Sequence, residues 1–156
     1  MKLVELTSAL VDHLRGTIPS PHASGNWIYS DYPRTDATFP RISVTQLSGS
    51  LDQIGIGEKT EQATHGKLAT IDYDIDVWVK VNDKTTYQSN TYVGTKLRDL
   101  YADLVIDTLS KNKDTFKTTY GILDIEILSI STQPLEDDTQ LHRKTVTVRL
   151  SFLWEW

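Results

Sequence analysis

Between Leu68 and Val81 the chain alternates in a way that only a β-strand can satisfy. Ile71, Tyr73, Ile75, Val77 and Val79 fall on one side; Asp72, Asp74, Asp76 and Lys80 fall on the other, with Trp78 among them. A period of two commits the segment to a strand with one apolar face, and that face requires neighbouring strands and a covering layer. The C-terminal segment has the same texture. Val146, Val148, Leu150, Phe152, Trp154 and Trp156 alternate with Arg143, Thr145, Thr147, Arg149, Ser151 and Glu155. Ile122 to Thr132 is a further strand: Leu123, Ile125 and Ile127 alternate with Asp124 and Glu126, and a phase slip at Leu128 and Ile130 marks a bulge or a change of burial. Arg41 to Gln46 alternates through Ile42 and Val44 and continues loosely extended to Ile56. Gly55, Gly57 and Gly66 then bracket the polar tip Glu58 to His65. These runs pair naturally as a hairpin over 41–81 and a second over 122–156.

Two segments have a helical period instead. Leu3, Leu6, Leu10 and Leu14, widened by Val4 and Val11, form an amphipathic stripe over 2–15, ended by Gly16 and Pro19. Val93, Leu97, Leu100, Tyr101, Leu104 and Leu109 form another over 89–110, with Ser89 or Asn90 as N-cap and lysines near its end. Between the first helix and the first hairpin, residues 17–40 have no period. Five prolines in the chain include Pro19, Pro21, Pro33 and Pro40 here, interleaved with Trp27, Tyr29, Tyr32 and Phe39. Four aromatic side chains in so short a span point to an ordered excursion packed on this domain or on a neighbour. The expected fold is α+β: one domain over 1–156, with about four main strands in an antiparallel or mixed sheet packed by two helices, in the order α-β-β-α-β-β. A chain of 156 residues has room for one core of this kind.

Composition removes several chemistries. The chain has no cysteine, so disulfides, thiol nucleophiles and Cys-ligated metals are excluded. A net charge of -5 argues against a dedicated nucleic-acid binder. Gly55-Ile56-Gly57-Glu58 lacks the third glycine of a dinucleotide fingerprint, and there is no phosphate loop. The four histidines, at 13, 22, 65 and 142, share no motif, and no nucleophile elbow occurs. No catalytic residue, metal ligand or cofactor site is assigned. The row Asp72, Asp74 and Asp76 has alternative readings: carboxylates converging on a hard cation, as in a metal-dependent nuclease, or a sheet face whose acids pair across strands with Arg143 and Arg149. Trp154 and Trp156 carry an apolar face to the last residue of the sequence, where either this subunit or a neighbour must cover them. Trp78, standing among aspartates, raises the same question. No apolar run reaches the length of a membrane span, and Glu5 interrupts what would be a signal-peptide core, so no membrane association is expected.

The order of these elements, with Tyr32-Pro33-Arg34 leading into Phe39-Pro40-Arg41-Ile42-Ser43-Val44, then Ile71 to Val79 and finally Val146 to Trp156, resembles the tail terminator (tail completion) proteins of long-tailed phages and related viruses. The resemblance implies a structural protein of the virion, assembled in the host cytoplasm. It would form a homo-oligomeric ring, commonly a hexamer, that caps the tail tube, stops its polymerisation and joins it to the capsid neck. Its partners would be the tail tube protein and a neck or head-completion protein, with DNA passing through the channel without specific binding. On that reading Trp27, Tyr29, Tyr32, Lys59, Glu61, Trp78, Trp154 and Trp156 are candidates for subunit or tube contacts. Asp72, Asp74, Asp76, Glu136, Asp137 and Asp138 are candidates for a channel wall that repels the duplex. Neighbouring neck rings (head-completion or stopper proteins) would carry similar sequence features, and the metal-dependent nuclease is the alternative of a different class.

Overall fold

In a computed structural model describing residues 2–33, 37–53 and 66–155, the chain is an α+β domain with three helices, a mixed five-stranded sheet and a separate two-stranded one. The elements are α1 (Leu3–Thr17), β1 (Ile28–Tyr29), β2 (Arg41–Gln53), β3 (Gly66–Lys80), β4 (Lys84–Tyr87), β5 (Asn90–Val93), α2 (Thr95–Lys111), α3 (Lys113–Tyr120), β6 (Ile122–Thr132) and β7 (Leu141–Glu155). The main sheet has the order β1-β2-β3-β7-β6. Only β1 is parallel to its neighbour.

The alternation on β3 and β7 builds the core. Tyr73, Ile75, Val77, Val79, Val146, Val148, Leu150 and Phe152 are wholly buried on the side that the helices cover. Helix α1 presses Leu6, Leu10 and Leu14 onto them, and its Thr7 hydroxyl meets the Tyr73 phenol at 2.7 Å. Val4, expected on the stripe, points to solvent, 71% exposed. Helix α1 also runs one residue past Gly16, ending where Ile18 turns extended and donates to the Leu14 carbonyl.

Three elements depart from the sequence-based expectation. The second helix does not begin at Ser89 or Asn90. Residues 84–93 form a tight hairpin instead, turning through Gln88 and Ser89, both at positive φ. Its strands are rich in Thr, Tyr and Val, which favour extended backbone over helix. Val93, counted in the helical stripe, is therefore an exposed strand residue. Gly94 follows at φ +54°, where an added Cβ would lie 2.8 Å from the Val81 carbonyl oxygen, so glycine marks the break before α2. The buried face of α2 is Leu97, Arg98, Tyr101, Ala102, Val105, Thr108 and Leu109, leaving Leu100 and Leu104 only partly covered.

The lysine-rich end of α2 is followed by a third helix rather than a loop. Helix α3 is anchored by the buried Phe116 and closed by Gly121 in the left-handed conformation. Finally, residues 28–29 of the aperiodic segment add β1 to the sheet edge. The same segment puts Trp27 into the core against Tyr101, with ring centroids 4.7 Å apart. His22 donates to the Pro40 carbonyl, and Arg15 to the Ile28 carbonyl, tying both ends of the excursion to this domain. The bulge expected near Leu128 is present: the β6–β7 register shifts between Ile127 and Ser129.

Candidate functional site

All three helices pack on one side of the main sheet, so the other side is built from the polar positions of the alternation. Along β3 and β7 these positions form a cross-strand ladder. Asp72 receives two hydrogen bonds from the Arg149 guanidinium, at 2.8 and 3.0 Å. Asp74 accepts from the Thr147 hydroxyl at 2.7 Å. Asp76 accepts from Arg143 Nε at 2.9 Å and from the Thr145 hydroxyl. The hydrogen bond and charge of Asp72, reinforced by Glu126 on β6, hold the Arg149 guanidinium above its ordinary pKa.

This arrangement bears out the cross-strand pairing of the aspartate row. Residues directly opposite in an antiparallel pair meet side by side, and Asp72, Asp74 and Asp76 face Arg149, Thr147 and Thr145 in register. Each carboxylate is met by donors on the neighbouring strand, at Asp76 through Oδ1 alone, its Oδ2 being buried without a partner. Among the described residues no three His, Asp or Glu side chains are grouped to hold a metal ion. Asp76 is also fully buried, so it presents no charge to a channel, contrary to its assignment as a channel-facing acid. Asp72 and Asp74 remain partly accessible.

At the Asp76 end the ladder runs under the proline-rich excursion. Trp78 is 6% exposed: its indole N–H donates to Ser43 at 2.9 Å, the Arg143 guanidinium lies over its ring at 4.8 Å, and Tyr32 stands against it edge-on. Trp27 is buried as well. Trp27 and Trp78, two of the four candidate interface indoles, are thus absorbed by this subunit's own packing, the excursion meeting Tyr101 through Trp27 and Trp78 through Tyr32. Tyr32 is exposed, Tyr29 half-buried beneath the Arg41 guanidinium at 3.9 Å, and Trp154 half-buried beside Phe152. Lys59, Glu61 and Trp156 lie outside the described residues. Glu136, Asp137 and Asp138 are exposed on the turn between β6 and β7. There, Glu136 and Asp138 face Tyr32, Phe39 and Trp78 across a cleft of about 390 Å³ that Lys80 also lines.

The least satisfied parts of the molecule are the two lateral edges of the sheet. Beyond β6 no further strand is paired among the described residues, and β1 covers β2 only at Ile42 and Ser43. Exposed apolar side chains accompany both edges: Leu128 and Ile130 on β6, Leu47 and Leu51 on β2. An open, apolar strand edge is a template for pairing with another chain, and proteins ordinarily blunt it. Here both edges are bulged, on β2 between Gln46 and Gly49 and on β6 between Ile122 and Asp124 and again between Ile127 and Ser129. Gly49 is required at the first, since an added Cβ would lie 2.5 Å from the Thr70 carbonyl oxygen. Sequence reasoning passed over these edges because the order of strands within a sheet is a property of the fold, not of any one segment.

No helix among the described residues is long and apolar enough to cross a membrane. The sequence matches no known protein family and no curated protein.

Proposed function

We propose that this protein is a structural ring component of a viral tail, a terminator-like cap that closes the tail tube, joins it to the neck and leaves an axial channel for DNA. One observation carries the reading: the sheet ends on both sides in open strands with exposed apolar side chains, while its central strands β3 and β7 are paired along their whole length. A unit finished inside and unfinished at two opposite edges is suited to heterologous contacts, which close into a ring when the rotation between copies permits. The aspartate row does not favour the nuclease alternative, since its carboxylates are bound to donors on β7. Glu136, Asp137 and Asp138, on an exposed turn, are the acids best placed to line a lumen, where phosphate attraction would slow the passage of DNA.

The test is a tube-elongation assay. Added to the polymerising tail tube protein of the same virus, the ring protein should arrest growth and leave a disc at one tube end in electron micrographs. A head-completion or stopper protein would leave elongation unchanged and bind capped tails instead. Tubes that grow undisturbed and capped tails that bind nothing would refute any tail or neck role.

A further inference from the structure

The registers across the sheet contain a coincidence between its two edges. From Asp74 to Thr70 on β3, and from Thr147 to Ser151 on β7, the chain takes four steps. Over the same two levels β2 takes five, from Thr45 to Ser50, and β6 takes five, from Ser129 to Asp124. Each edge strand therefore has one residue more than the strands between them, inserted over the same stretch of the sheet. A bulge on a lone edge deters pairing. Over this stretch the two edges instead have equal counts and are commensurate with each other, though not with the interior; a second shift on β6, between Ile122 and Asp124, lies just beyond it and has no counterpart on β2.

We infer that β6 of one subunit pairs antiparallel with β2 of the next, Asp124 to Ser129 lying against Ser50 to Thr45. This rests on the ring reading and specifies its interface: the occupant of each edge is a second copy of this chain. Direction fits, because β2, β3, β7 and β6 alternate. Copies repeated by a rotation thus meet with β6 and β2 running oppositely. Extent fits, because β1 occupies β2 only at Ile42 and Ser43, leaving Thr45 to Ser50, the stretch level with Asp124 to Ser129. Charge fits as well. The acids Asp124 and Glu126 of β6 come opposite Ser50 and the Leu47–Ser48 bulge, so no carboxylate opposes another, an arrangement that would be destabilising. Leu47 and Leu51, now exposed, would share the seam with Leu128.

Because the chain has no cysteine, the pairing can be read by disulfide trapping. A subunit carrying Asp124→Cys and Ser50→Cys holds its two sulfurs on opposite edges, three strand spacings or about 14 Å apart, too far to bridge within one chain. Mild oxidation of the assembled protein, alone at high concentration and on tail tubes, should give a ladder of bands at multiples of 17.7 kDa on a non-reducing gel. Ser129→Cys with Thr45→Cys should do the same, whereas Asp124→Cys with Thr45→Cys, out of level, should stay monomeric. Hydrogen exchange on the unmodified protein is a second readout: amides of 45–50 and 124–129 should become protected on assembly. A native mass that shows a ring, with mismatched pairs trapped as readily as matched ones or with no new protection, overturns this interface and leaves the ring. A mass that stays at one subunit, with and without tubes, overturns both.

Discussion

Removing Arg143 isolates the forces that hold the polar ladder. Asp76 is fully buried, and its charge is balanced by one guanidinium, whose own side chain is 24% exposed. Arg143→Ala would strand a buried carboxylate, which costs about 3–5 kcal/mol when one partner of a buried pair is removed. Loss of the guanidinium from the faces of Trp78 and Tyr32 adds about 0.5–1 kcal/mol. Asp76→Ala is the milder change, because Arg143 can turn toward water. It forfeits two hydrogen bonds to a charged group, about 1.5–3 kcal/mol each before that relaxation. The double variant should then be less damaged than Arg143→Ala alone. Urea unfolding of the four proteins, monitored by tryptophan fluorescence, measures the cycle, and each kcal/mol corresponds to roughly 2–4 °C in melting temperature at this size. Magnesium should restore nothing. Equal, small losses for both single variants, or recovery of Arg143→Ala on adding a divalent cation, would refute the account of the aspartate row as a strand-to-strand ladder.

Other outcomes follow from the same structure. Burial lowers the pKa of His13 below its ordinary 6.5, and its Nε2 is buried without a hydrogen-bond partner, the ring lying against Phe116. The unfolded chain therefore binds the proton first, so stability is full above that value and declines as pH falls through the folded-state pKa. His13→Phe should flatten this decline in urea midpoints measured between about pH 7 and 5. Phe116→Ala should cost about 3–5 kcal/mol in the same unfolding assay, since the ring is the one buried anchor of α3. Gly49→Ala should destabilise by about 1–3 kcal/mol, because the new methyl meets the β3 backbone at the bulge. Leu128→Lys with Leu51→Lys should leave subunit stability within about 0.5 kcal/mol while abolishing assembly measured by light scattering.

What could be read from the sequence was what repeats along it. The alternation through Ile71–Val79 and Val146–Phe152 specified the two central strands and their buried face, and the slip at Leu128 marked a real bulge. The pairing of the aspartate row with Arg143 and Arg149 was legible as one of two readings, since opposite charge on the polar faces of two strands was visible without knowing the register, which alone assigns Arg149 to Asp72. Elements too short to repeat were missed. Strand β1 has two residues, the 84–93 hairpin has four-residue strands, and α3 shows one buried side chain. Whether this subunit or a neighbour covers Trp27 and Trp78 was not legible, for a different reason. Trp78, on a polar strand face, looks exposed until a segment distant in sequence brings Tyr32 against it, and Trp27, in an aperiodic segment, shows no partner until the fold sets it on Tyr101. The two open edges lay beyond sequence reasoning for the same cause, being a consequence of strand order.

The central claim is that these subunits act by joining edge to edge into a closed ring. Native mass spectrometry of the protein, free and released from tail tubes, tests it most directly. The account predicts one discrete species at a fixed multiple of 17.7 kDa. A monomer under both conditions, or an open-ended series of masses without a preferred size, would contradict it.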